Sequence, residues 1–213
     1  MAGSRYRGRA RRHPCGWLAA VTAAAVLVLA PAGVRLAAAP PDYQRLYAAG
    51  IGFPEFLENA RARRDEWLAR SAAAAPPADL AARMRALPGR RLVLVVAEDW
   101  CADSASTVPY IARLVESAPD RLALRIIGAA AGAPVMAAHP TPDGRAATPT
   151  VVVLAEDGKM IGAWVERPGP AQRWFLEQQK VMMQGPLHEQ LAAWYEDDAG
   201  RTTMAEIAAI LER

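Results

Sequence analysis

Arg91-Leu92-Val93-Leu94-Val95-Val96-Ala97-Glu98-Asp99-Trp100-Cys101-Ala102-Asp103-Ser104 is the stretch that decides how this chain folds. Arg91 to Ala97 reads as a short, fully buried β-strand, because the residues after Arg91 are apolar, partly β-branched and too few for a helix. Beyond Ala105 the apolar residues Val108, Ile111, Ala112, Leu114 and Val115 recur at helical spacing, and Ser104, Ser106 and Thr107 are good capping types. Cys101 therefore falls where a strand turns into a helix. A sulfur there lies near free backbone N–H groups and the positive end of the helix dipole, and both favour thiolate over thiol. The other reading of Cys101 is a small buried hydrophobe, as isolated cysteines often are.

A second segment, Ala147-Thr148-Pro149-Thr150-Val151-Val152-Val153-Leu154, reads as another buried strand opened by a proline. Glu156-Asp157-Gly158-Lys159 follows as a hairpin turn into a further apolar run. Together these segments resemble thioredoxin, in which a Trp-Cys pair sits at a strand-to-helix junction and a cis-proline opens a strand lying against the sulfur. Pro149 comes 48 residues after Cys101, which leaves room for a helix, a strand and a crossover. The resemblance spans roughly Pro88 to Lys180. Glu98-Asp99-Trp100-Cys101, with Asp103, Gly162-Ala163-Trp164, Arg167-Pro168 and Ala171-Gln172, is similar to a bacterial thioredoxin-like subfamily.

The resemblance implies an α/β, thioredoxin-like fold: a central mixed sheet flanked by helices, with extra N-terminal and C-terminal helices. It implies Cys101 as nucleophile and Trp100, Thr148 and Pro149 as the substrate-binding surface. A cis Thr148–Pro149 bond is expected only on that ground, since a proline may open a strand in trans and only about one X-Pro bond in twenty is cis in folded proteins.

The chain departs from a dithiol pattern. Position 104 is Ser, and the only other cysteine is Cys15. The expected chemistry is therefore monothiol exchange, with Ser104 hydrogen-bonding the Cys101 thiolate and a second molecule completing the cycle. Val95 stands where thioredoxin carries a buried acid, and Ala102-Asp103 replaces its Gly-Pro. Glu98, Asp99 and Asp103 put negative charge near the sulfur and oppose the helix terminus, so Asp99 and Asp103 are candidate modulators. Equally, Asp103 reads as a first-turn acid that complements the helix dipole.

The N-terminus combines arginines at positions 5, 7, 9, 11 and 12, an apolar stretch from Trp17 to Ala30, and the small-residue end Leu36-Ala37-Ala38-Ala39. These are the parts of a secretory signal peptide, cleaved after Ala38 or Ala39. Gly16 to Val34 is also long enough for a membrane anchor if retained. Residues 1–39 are thus read as signal or anchor and 40–213 as one domain with a core near 88–183, placed outside the cytoplasm or held at a membrane through residues 16–34. The chain has 25 basic and 22 acidic residues; six arginines and no acid lie before Pro40, leaving 19 against 22 and a net charge of −3. That balance gives no support to nucleic-acid binding.

Flanking helices are expected as two between Asp42 and Ala75, one from Asp79 to Leu87, and three in Pro170–Met183, Leu187–Tyr195 and Met204–Leu211. Gly128 to Gly144 reads as an irregular crossover with one helical turn. His13, His139 and His188 are scattered, no metal-ligand spacing exists, and no phosphate loop or Gly-x-Ser-x-Gly is present, so no cofactor and no metal are expected. Trp164, Trp174 and Trp194 read as core. The partners expected are protein or small-molecule thiols and disulfides. The alternative is a non-catalytic thioredoxin-fold module that holds a peptide or protein in the same groove.

Overall fold

A computed structural model describes residues 39–213; the signal or anchor expected over residues 1–39 falls almost wholly outside the described residues. The four strands β1 (Arg91–Val96), β2 (Leu122–Ile127), β3 (Thr150–Ala155) and β4 (Met160–Val165) form one sheet in the order β2-β1-β3-β4. β1 runs parallel to β2 and antiparallel to β3, and β3 is antiparallel to β4, so the sheet is mixed. The parallel pair needs a long crossover, supplied by α5 (Ala102–Glu116), whereas β3 and β4 are joined by the tight turn at Gly158, φ 81°.

Alternation along the strands divides the core into two layers. Val93, Val95, Val151 and Val153 face one side, with Trp67 of α3 (Arg64–Ala73), Met84 of α4 (Ala78–Arg85), Ile111 and Leu114 of α5, and Ile207 and Leu211 of α9 (Arg201–Leu211). Leu94, Val96, Val152 and Leu154 face the other, against Tyr43, Leu46 and Tyr47 of α1 (Tyr43–Ala49) and Val135 of α6 (Ala129–Ala138). Because both faces are covered, the central strands read as continuous apolar runs. Each large side chain fully buried in these layers contributes about 1.5–3 kcal/mol. A third cluster joins α7 (Gly169–Gln178) to α8 (Gln184–Asp198) through Ala171, Phe175, Leu187, Leu191 and Tyr195.

Three local expectations change. The segment before Ala75 holds three helices, with α2 (Phe53–Asn59) between α1 and α3. Gly50 and Gly52 end the first break, and Arg63 at φ 50° makes a second turn that the sequence does not advertise. The crossover holds a ten-residue helix, α6. Its small residues serve close packing, since a Cβ on Gly132 would run into the Val96 side chain. Its N-terminus is capped from a distance, the Glu98 carboxylate accepting from Ala129 N–H at 2.6 Å. The three tryptophans do not share one core: Trp164 belongs to the main core, while Trp174 and Trp194 are partly buried and border the α7/α8 cluster.

Candidate functional site

Cys101 is the N-cap of α5. Its backbone is still extended, φ −77° and ψ 120°, while its carbonyl already accepts from Ala105 N–H at 3.0 Å. Its sulfur accepts from Ser104 N–H at 3.4 Å, the bond a Ser or Asp oxygen makes at an ordinary cap. The half-buried sulfur thus sits at the positive end of the helix. On its other side the thiol donates to the Thr148 carbonyl at 3.2 Å, and the Thr148–Pro149 bond is cis. Pro149 is buried just before β3, its carbonyl held by Glu166 N–H at 2.7 Å. Trp100, 62 % exposed, forms the lip.

Ser104 acts through its backbone. Its side chain is fully buried and its hydroxyl has no hydrogen-bond partner among the described residues, so the contact to sulfur comes from the N–H rather than from Oγ.

The acids around Cys101 are each occupied elsewhere. Glu98 caps α6. Asp99 accepts from Arg61 N–H at 2.7 Å and Ala62 N–H at 2.9 Å, and these backbone donors hold its carboxyl below the usual 3.8. Asp103 meets Arg167 in a two-point ion pair, Nε to Oδ1 at 3.1 Å and Nη2 to Oδ2 at 2.8 Å, and also accepts from the Tyr195 hydroxyl at 2.7 Å. Burial first, and the Asp103 charge second, push the Tyr195 phenol well above its usual 10.0.

The family assignment follows from the match of the chain to known domains: a family model described as Thioredoxin covers residues 50–182, which include Cys101, the Thr148–Pro149 bond and all four strands. The chain belongs to the thioredoxin family. This thioredoxin-family protein is similar in fold to a crystal structure of a protein of unknown function from Pseudomonas aeruginosa, with a TM-score of 0.64 and 22 % identity over 81 % of this chain and 98 % of that one. It is similar too to an HIV epitope-scaffold, with a TM-score of 0.60 and 22 % identity over the same shares. No curated protein matches the sequence.

Beyond the residues expected from sequence, the thioredoxin-family site includes an ionic chain that is buried at Asp103, Arg167 and Glu166 and ends at the exposed Arg145. Arg167 lies with its guanidinium carbon 3.9 Å from the Phe175 ring centroid, and its Nη1 is 3.1 Å from Glu166 Oε2, close enough for attraction but not aligned for a hydrogen bond. Glu166 is also held by Arg145 at 3.2 Å. The chain Tyr195–Asp103–Arg167–Glu166–Arg145 therefore ties α8, the first turn of α5 and the end of β4 together. Arg167-Pro168 was visible as a motif, but nothing local announces its partner 64 residues away.

Among the described residues no group of three His, Cys, Asp or Glu side chains is arranged to hold a metal, and no helix is long and apolar enough to cross a membrane. Beside the sulfur opens a recess of about 470 Å³, bounded by α3, the start of α5 and α8.

Proposed function

We propose that this thioredoxin-family protein is a monothiol disulfide-exchange protein acting through Cys101. The observation that carries the proposal is the position of the one cysteine among the described residues: N-cap of α5, half-buried, bonded to Ser104 N–H and facing the cis Thr148–Pro149 segment. The Cys101 thiolate attacks one sulfur of a partner disulfide, forming an S–S bond to the protein and expelling the other sulfur as a thiolate that takes its proton from water. Position 104 holds no thiol, so release falls to a second thiol, small or protein-borne, which attacks the mixed disulfide and returns Cys101. Helix N-terminus and Ser104 N–H stabilise the attacking anion, and occupation of Glu98, Asp99 and Asp103 by their own donors limits the opposing charge. The N-terminal pattern of arginines, apolar stretch and small residues supports work outside the cytoplasm or at a membrane surface.

One contact favours a second reading, a non-catalytic peptide-binding module: the Cys101 S–H donates to the Thr148 carbonyl, a bond available only to the protonated sulfur. Alkylation of the mature protein with iodoacetamide across pH, with Cys101→Ser as blank, separates the two. Exchange predicts labelling at neutral pH faster than that of a free cysteine peptide, and a mixed disulfide by mass after incubation with glutathione disulfide. Labelling only after denaturation favours the binding module.

A further inference from the structure

One turn at the end of β4, Val165-Glu166-Arg167, reaches both walls of the cleft that holds Cys101. Its backbone reaches the first wall: Glu166 N–H donates to the Pro149 carbonyl at 2.7 Å, next to the Thr148 carbonyl that accepts from the thiol at 3.2 Å. Its side chains reach the second, where Arg167 grips Asp103 in the first turn of α5 at 2.8 and 3.1 Å. The exchange chemistry gives Glu166 no task, although its side chain is only 5 % exposed.

The turn has a conformation that a glutamate adopts reluctantly. Glu166 has φ 65°, and Arg167 N–H closes the turn onto the Val165 carbonyl at 2.8 Å. Three-residue turns of this hand are rare and strained, and positive φ is uncommon for a residue with a Cβ. Strain of that kind persists only where the surroundings over-determine it. Here the surroundings are ionic. Arg145 donates to both carboxylate oxygens of Glu166, at 3.3 and 3.2 Å, and Arg167 Nη1 stands 3.1 Å from Oε2. Arg145 is fixed in turn: its N–H donates to Thr141 Oγ1 and its carbonyl accepts from Thr141 N–H, both at 2.9 Å. It lies on the short stretch of chain that leads into Thr148 and the first wall.

We infer that Glu166 is a positioning residue for the exchange reaction. Arg145 and Arg167 hold it in a strained turn, and its N–H thereby fixes Pro149, and with it the Thr148 carbonyl, at the separation from the Cys101 sulfur that an incoming disulfide needs. The inference rests on the proposed exchange reading, because the turn has this purpose only where a disulfide docks between sulfur and wall.

Comparison of Glu166→Ala with Glu166→Gly tests it. Both remove the carboxylate and leave the N–H, but only glycine takes φ 65° without strain. Two reactions are timed on each variant and on the wild type. One is attack on the disulfide dimer of a hexapeptide with a central cysteine, followed as mixed disulfide by mass; the other is iodoacetamide alkylation at its high-pH plateau, which needs no docking. Glu166→Ala should slow the disulfide reaction about tenfold and Glu166→Gly by no more than about threefold, with alkylation within about twofold of wild type in both. Amide protection at position 166, corrected for intrinsic rates, should fall more in the alanine variant than in the glycine variant. Where the alanine variant does not fold, Glu166→Gln keeps the bulk and the unfavourable φ and takes its place with the same expectation. Equal slowing in the two variants, a slower glycine variant, or alkylation that falls in step with disulfide attack overturns the inference. A wild type that is alkylated but forms no mixed disulfide sinks the exchange reading instead. Protection at position 166 then decides the brace alone, and equal protection in the two variants overturns it.

Discussion

Asp103 and Arg167 face each other in a two-point ion pair inside the site, their side chains only 13 % and 6 % exposed. The carboxylate two residues from the reacting sulfur is thereby neutralised, and the Tyr195 hydroxyl takes up a further lone pair of Oδ1. Arg167→Met leaves Asp103 buried without its counter-charge, which should cost about 3–5 kcal/mol in urea unfolding. The same variant should move the pH profile of Cys101 alkylation upward, because an uncompensated anion disfavours a second one nearby. Adding Asp103→Asn should recover most of the stability and return the profile. An unmoved profile in a folded Arg167→Met protein would show that the pair has a structural role alone.

Ser104→Cys should convert the site to a dithiol. Ser104 N–H already touches the Cys101 sulfur, and residues three apart at a helix start have Cβ atoms about 5–6 Å apart, within easy adjustment of disulfide geometry. After mild oxidation, the count of alkylatable thiols at positions 101 and 104 should fall from two to none. Two thiols that persist, or a disulfide-linked dimer, would show that a side-chain sulfur at position 104 lies out of reach of Cys101.

Acid should loosen the attachment of α1. The Tyr43 hydroxyl lies 2.8 Å from His139 Nε2, and burial holds the imidazole below its usual 6.5. With the folded value depressed, the unfolded chain binds the proton more readily. The contribution is therefore complete above 6.5 and is lost as pH falls through the folded value. The urea midpoint should drop between pH 7.5 and 5, and His139→Gln should flatten that slope; parallel slopes would remove His139 from the account.

Trp67 couples the core to the approach to Cys101. It is fully buried, stacks edge-on to Phe56 at 5.0 Å, and its indole N–H donates to the Asp99 carbonyl at 2.9 Å. Trp67→Phe keeps an aromatic ring but removes that donor, so a loss of about 1–3 kcal/mol is expected. Amide exchange at residues 100–103 should accelerate more than in β2. Uniform acceleration would mean that Trp67 supplies bulk and nothing more.

The strand-to-helix junction at Cys101 and the buried runs of β1 and β3 were legible because they depend on local patterning: apolar runs of strand length, then helical periodicity, then a turn at Gly158. The Gly-rich crossover was misread for a physical reason. α6 has no amphipathic stripe and no side-chain cap of its own, and it exists because Gly132 lets it approach Val96 and because Glu98 caps it from another segment. Arg63 hides its turn in the same way, since nothing about an arginine announces φ 50°.

The sequence by itself determined the thioredoxin-like fold, the single cysteine of the matched domain and the serine at position 104, because each is written in residue type and spacing. The tertiary structure decided the electrostatics and the shape of the site. Acids that crowd Cys101 along the chain are satisfied by backbone donors of Arg61, Ala62 and Ala129 and by Arg167, all remote in sequence. The recess exists only because α8, packed on α7, is brought within reach of α3 through Arg70 and Glu196 and of α5 through Asp103 and Tyr195. Local patterning specifies which elements form; the charge and room left at a sulfur depend on which distant groups the packing brings to it.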